Sequence, residues 1–284
     1  MAIDVATRLA LRPMTATDIA VATDLSREQG WPHSEDDWKL FLELGEGIVA
    51  TLDGKFAGTV LAWRFATDMA TIGLVIVARA AQGMGIGRQL MEAMLERLKG
   101  RTVVLNATDE GLPLYRKLGF VETGSIHQHQ GRAPVVPLVN LVSGERVRPM
   151  GAADDSLGAL YSRSSGMDRR ALFDALAGES DAVVLARDHV PVGFALFRRF
   201  GRGWSIAPVV APDLGGAKAL VSHWLGTKTN RFCRLDVDAA GGMSEWLEEL
   251  GLPKVGRVVT MALGSPPVGD GQTKVFGLAA QALG

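Results

Sequence analysis

The feature that most constrains this chain is that it is written twice. Leu11 to Asp18 (LRPMTATD) returns as Val147 to Asp154 (VRPMGAAD), 136 residues further on. Val49 to Phe65 returns as Val184 to Phe200 at a spacing of 135, with Asp53 on Asp188 and Gly58 on Gly193. Arg101 to Asn106 falls on Arg231 to Asp236 at a spacing of 130, and Leu118-Gly119-Phe120 on Leu250-Gly251-Leu252 at 132. Four blocks in one order, with a small drift of spacing, are what a duplicated domain leaves after minor loop changes. A repeat of about 135 residues is an ordinary domain size. The sequence thus divides into residues 1–130, a linker over 131–146 containing Pro134 and Pro137, and residues 147–284.

Hydrophobic residues make up 47% of the chain and charged ones 21%, enough apolar surface for two cores and too much for a disordered chain. The 30 Lys and Arg against 31 Asp and Glu argue against a dedicated nucleic-acid binder, whose affinity rests on clustered cations. A small anionic ligand needs only a local site and stays possible. The lone Cys233 rules out an internal disulfide framework and a paired-thiolate zinc site, so no metal is expected. It fits a reducing, cytoplasmic setting. Met1 to Arg12 carries Asp4 and no long apolar stretch, unlike a secretory signal. No run of 18 apolar residues exists to span a membrane.

Both repeats read as β-α-α-β-β-β-α-β-α-β. Asp53-Gly54 between two apolar runs predicts a hairpin, because both residues tolerate positive φ. Thr71 to Val77 is apolar on both faces and reads as a buried central strand. The stripe Leu90, Met91, Met94, Leu95 and Leu98 predicts a helix over 87–99. A strand over 103–106 follows. A helix over 112–118 then has Pro113 in its first turn and Gly119 as its stop. The expected class is α/β, in the α+β sense: mixed, mostly antiparallel sheets flanked by helices.

The chemistry concentrates at Gln82-Gly83-Met84-Gly85-Ile86-Gly87-Arg88, between the central strand and the striped helix. Glycines let a ligand approach the backbone, and the free N–H groups of a helix start suit a phosphate. The segment fits neither a GxxxxGK[ST] loop nor a GxGxxG dinucleotide loop, since Arg88 follows Gly87. A tight turn with no ligand is the plain alternative. Two motifs carry a resemblance, however. Gln82-x-x-Gly85-x-Gly87 is similar to the acyl-CoA loop of the GNAT (GCN5-related N-acetyltransferase) superfamily. Leu114-Tyr115-Arg-Lys-Leu-Gly119-Phe120 is similar to its closing LYxKxGF element, in the right order and separation. The tandem layout and the Gly30-Trp31 and Asp37-Trp38 block further resemble two-domain bacterial members whose second copy has diverged.

The resemblance implies an acetyl-CoA-dependent acyltransferase acting on a small amine by direct attack in a ternary complex. The pyrophosphate would lie on the amides of Gln82 to Arg88, and the pantetheine arm along Val75, Ile76 and Val77. Asn106 would be a further cofactor contact, and Tyr115 the proton donor to the leaving thiolate. Trp31, His33 and Trp38 fall in the region that forms the acceptor wall. Glu28, His33, Asp68 and His127 are the acids and imidazoles from which a base would come.

The second repeat lacks these residues. Pro208 interrupts the strand Ile206 to Ala211. The loop Pro212 to Ala217 is four residues shorter than its counterpart, and Leu247 stands in the place of Tyr115. Residues 147–284 are therefore expected not to acetylate, although they could complete the acceptor site, stand in for a dimer partner or only stabilise the fold. Asp168-Arg169-Arg170 and Asp236 are their notable polar features. Two other readings of the whole chain remain at this stage. One is a non-catalytic acyl-CoA sensor, and the other a tandem acetyltransferase of the mycothiol-synthase kind.

Overall fold

The structure, a computed structural model, describes residues 9–137 and 139–284. Most of the segment read for a leader, and Leu138 of the linker, lie outside the described residues. By contact density the chain forms two compact units. One runs up to Leu105 and takes in the turn Phe200–Arg202. The other comprises Asn106–Arg199 and Gly203–Gly284.

The first unit contains β1 (Leu9–Pro13), α1 (Ile19–Glu28), α2 (Glu35–Leu44), β2 (Glu46–Leu52), β3 (Lys55–Phe65), β4 (Met69–Val77), α3 (Ile86–Arg97) and most of β5 (Thr102–Ala107). Its sheet has the order β1-β2-β3-β4-β5, antiparallel except for the parallel β4–β5 pair. The β2–β3 hairpin turns at Asp53 and Gly54, with φ of 51° and 75°. Helix α2 starts in a capping box. The Ser34 hydroxyl accepts the Asp37 N–H at 3.2 Å, and the Asp37 carboxylate accepts the Ser34 N–H at 2.8 Å. Trp38 and Trp63 are core residues whose indole N–H groups are satisfied, Trp38 by the Ser26 hydroxyl at 3.1 Å and Trp63 by the Phe41 carbonyl at 2.9 Å.

The second unit contains α4 (Leu112–Lys117), β6 (Val121–Arg132), β7 (Glu145–Pro149), α5 (Leu157–Ser165), α6 (Arg170–Ala177), β8 (Asp181–Arg187), β9 (Val190–Phe200), β10 (Gly203–Ala211), α7 (Leu214–Thr227), β11 (Phe232–Asp238), α8 (Met243–Glu249), β12 (Lys254–Leu263) and β13 (Lys274–Gly277). Its sheet order is β12-β6-β11-β13-β10-β9-β8-β7. Strand β6, from the first repeat, lies antiparallel between β11 and β12 of the second. The repeat and the contact unit are therefore different divisions of this chain.

The duplication is visible in detail. The Arg12–Asp18 ion pair (2.6 Å) has its twin in Arg148–Asp154 (2.6 Å). Opposite Ala50/Thr51 of β2 the strand β3 has one extra residue, Ala57, and opposite Leu185/Ala186 of β8 the strand β9 has one at Val192. A Cβ on Gly58 would fall 2.7 Å from the Ile76 carbonyl and 3.2 Å from Leu90; one on Gly193 would meet the Val210 carbonyl at 2.6 Å and Leu220 at 3.5 Å. Glycine at these two points lets the backbone of the neighbouring strand, β4 or β10, approach closely in each repeat.

Candidate functional site

Strand β4 carries a bulge. Thr59 of β3 faces Ile76 and Leu61 faces Gly73, so β4 has one extra residue around Leu74 and Val75. Leu74 sits at φ 51°, and its carbonyl accepts the Thr59 hydroxyl at 2.8 Å. The parallel ladder to β5 runs only from Met69/Thr102 to Ile72/Leu105, while β4 continues to Val77. The edge of β4 from Gly73 onward thus has main-chain groups outside that ladder. Val75 and Val77 are half-buried and Ile76 is buried.

After β4 the chain makes a short 3₁₀ turn, Arg79–Ala81. The Arg79 guanidinium donates to the Glu28 carbonyl at 2.8 Å, tying this turn to the end of α1. The Gln82 side-chain amide donates to the Val77 carbonyl at 3.2 Å, which brings the loop back onto the strand end. Gly83 and Gly85 have φ of 78° and 76°, and a Cβ on either would meet nothing within 4 Å. Met84 is exposed. No side chain caps the start of α3 at Gly85. Ile86 anchors the first turn in the core, and exposed Arg88 pairs with Glu92 at 2.7 Å. Open glycines, an uncapped helix start and an unladdered strand edge fit a phosphate with an extended amide-bearing arm. The donor set of this stretch is neutral main-chain N–H with one cation, Arg88.

Trp31, Pro32 and His33 are half-buried, and the His33 ring meets Trp31, Phe41 and Phe200 edge-on with centroids 5.9, 5.8 and 5.7 Å away. Trp38 has no exposed surface and is a core residue, not one that a ligand could meet. Asp37 adds an unforeseen role here, since its carboxylate also accepts the Gly201 N–H at 2.8 Å. Glu28 and Asp68 are exposed.

In the second unit, Tyr115 is buried against Phe120, with ring centroids 6.0 Å apart, and burial pushes its phenol up to about 12. Asn106 is held at both ends: its amide nitrogen donates to the Gln281 carbonyl at 2.8 Å and its oxygen accepts the Thr260 hydroxyl at 2.8 Å. His127 shares a hydrogen-bonded cluster with His129 and Ser244. The His129 Nδ1 donates to the Leu252 carbonyl, which only accepts, at 2.9 Å, and its Nε2 lies 2.9 Å from the Ser244 hydroxyl. The same hydroxyl lies 2.8 Å from His127 Nδ1. Burial, with Lys254 next, pushes the His127 imidazole below its ordinary value.

The second repeat has filled the equivalent features. The β10–β11 ladder covers only Trp204/Cys233 and Ser205/Arg234. Beyond it β13 wedges in, pairing Gly277, Val275 and Lys274 with Val209, Val210 and Ala211, and Gly277 with Val237 of β11. At the start of α7 the Asp213 carboxylate accepts the Gly216 N–H at 2.8 Å. Leu247 is fully buried. Sequence reasoning missed both features: Asp213 ahead of a helical run could have signalled the cap, but a four-residue strand gives little signal. Asp168 pairs with Arg170 at 2.5 Å, Asp236 with Arg234 at 2.9 Å, and buried Arg169 donates to the Leu283 carbonyl at 2.6 Å. Among the described residues no three metal-ligating side chains cluster, and no helix is long and apolar enough to cross a membrane.

Two family models, each described as an acetyltransferase (GNAT) domain, match residues 33–137 and 159–277. The uncharacterized N-acetyltransferase YitH of Bacillus subtilis (strain 168) is 26% identical over 236 residues, covering 81% of this chain and 83% of that protein. A solved structure from Pyrococcus horikoshii, assigned as an acetyltransferase, superposes over 100% of this chain and 98% of its own with a TM-score of 0.78 at 21% identity. The tandem GNAT protein from the clavulanic acid biosynthesis pathway does so over 90% and 98%, with a TM-score of 0.66 at 14% identity. At these identities the structures speak for the fold alone. Two acetyltransferase domains matched in succession, on a doubled mixed sheet, make this chain a tandem GNAT-family acyltransferase.

Proposed function

We propose that the chain transfers an acetyl group from acetyl-CoA to a small amine, with one active site built on the first repeat. Residues 1–130 form the catalytic domain in this reading, 131–146 the linker and 147–284 a non-catalytic domain. The observation that carries it is the uncapped, glycine-lined start of α3 placed directly after a strand edge that leaves its ladder at Gly73. Acetyl-CoA supplies an activated thioester. The amides from Gln82 to Arg88 bind its pyrophosphate, and the main chain of Val75, Ile76 and Val77 aligns its arm by strand addition. A main-chain N–H of this strand also supports the carbonyl oxygen as the amine adds.

In the transfer the amine nitrogen bonds to the acyl carbon, the carbon–sulfur bond breaks, and the amine gives up a proton to solvent. Tyr115 acts on the leaving sulfur. With its phenol near 12 it stays protonated, and a thiol near 8.5 is the stronger acid, so the hydroxyl serves as a hydrogen-bond donor to the thiolate rather than surrendering its proton outright. Cys233 is buried and pushed up to about 12, which disfavours a covalent acetyl-cysteine route. Trp31 and His33 shape the acceptor wall. The test is coenzyme A release from acetyl-CoA against a panel of small amines. Amine-dependent release is expected; tight CoA binding without release would turn the reading into that of a sensor, and no binding would overturn both.

A further inference from the structure

Asn106 does not stand alone at the end of β5. A carbonyl can only accept, so the Gln281 oxygen at 2.8 Å fixes the amide with Nδ2 toward it. Oδ1 is thereby turned to the Thr260 hydroxyl, which donates at 2.8 Å. One N–H and one lone pair remain. That pair of functions matches what a single amide group of an acyl-CoA arm offers in return.

The partner of Asn106 is itself fixed. Gln281 Nε2 donates to Asp236 at 2.8 Å, and Asp236 is gripped by two 2.9 Å bonds from Arg234. The carbonyls on either side of Gln281 are held as well, Ala279 by Arg198 and Leu283 by Arg169, each at 2.6 Å. The Leu278 N–H donates to the Asp236 carbonyl at 2.8 Å. Buried guanidinium groups spent on main-chain carbonyls specify where a segment lies more than they add to packing.

Resting on the proposed contact between Asn106 and the acyl donor, we propose that Thr260 and the 278–284 segment are positioning groups that hold the Asn106 amide in its binding orientation. The residues involved belong to the second repeat, which thereby contributes to the site without chemistry of its own. The test titrates CoA into the full chain and five variants by calorimetry. Asn106→Ala, Thr260→Val and Gln281→Ala should each weaken CoA roughly three- to tenfold, the range of one lost hydrogen bond. The Asn106→Ala/Thr260→Val double variant should bind no more weakly than Asn106→Ala, because both act through one amide. Thr260→Ser should restore binding, and the Asn106 side-chain amide signal in ¹⁵N NMR should move in Thr260→Val before any CoA is added. Thr260→Val or Gln281→Ala binding CoA like the parent, or multiplicative effects in the double variant, overturns the proposal. Asn106→Ala binding like the parent overturns it too while leaving the acetyltransferase reading standing. A parent chain that binds no CoA overturns that reading itself.

Discussion

The Asp213 carboxylate accepts the Gly216 N–H at 2.8 Å and so holds a negative charge at the start of α7, where the start of α3 has no side-chain cap. Together with β13 on β10, it leaves the second repeat without a vacant phosphate seat or strand edge. CoA should therefore bind with a stoichiometry of one per chain in calorimetry. Two equivalent sites would contradict this account of the second repeat.

Gly85 sits at φ 76° where a Cβ would meet open space. Gly85→Ala should cost about 1 kcal/mol of stability for the left-handed backbone and weaken CoA binding as the loop shifts. Gly54, at φ 75° in the β2–β3 hairpin, is the control. Gly54→Ala should cost a similar amount in thermal denaturation and leave CoA affinity unchanged.

Tyr115→Phe removes the hydroxyl and keeps the ring against Phe120. Turnover should fall about tenfold or more while the CoA dissociation constant changes little. Because the phenol lies near 12, the parent's rate profile should show no decline from Tyr115 below about pH 10. Unchanged turnover in Tyr115→Phe at saturating substrates would remove its assigned role.

Hydrogen bonding to Arg12 holds the Asp18 carboxyl down at about 2, and Arg148 lowers Asp154 in the same way. A depressed carboxylate stabilises the fold above its unfolded value near 4, and that contribution fades as pH falls toward 2. Asp18→Asn should lower stability at pH 7 by about 1 kcal/mol, after discounting for the half-exposed Arg12, and narrow the loss between pH 5 and pH 2. Denaturation across that range measures both.

Cys233 is buried on β11 with its thiol near 12. It should resist thiol-directed disulfide reagents in the native chain and react within minutes after denaturation. Rapid modification of the native chain would reopen a covalent route.

Much of this was legible because the chain states it twice. The Asp53-Gly54 hairpin, the striped helix over 86–97 and the stop at Gly119 all follow from local chemistry. The glycines at alternate positions, Gly83, Gly85 and Gly87, announce a turn ahead of α3, and Gly83 and Gly85 take φ of 78° and 76°. What could not be read were relations between distant residues. Nothing near Asn106 reveals that Thr260 and Gln281 hold it, 154 and 175 residues away. The bulge at Leu74 is equally silent, since leucine gives no local warning of a positive φ. Strand β13 was missed because four residues carry too little periodicity to register.

Strand β6 has a consequence for how this family member can change. Its neighbours, β11 and β12, both come from the other copy of the repeat. A fragment ending at Arg132 would expose two bare edges on a twelve-residue strand, an invitation to aggregate rather than fold. The last strand of the first copy thus draws both of its ladders from the second. Deleting the second copy would cost the first its fold, whatever chemistry either of them performs.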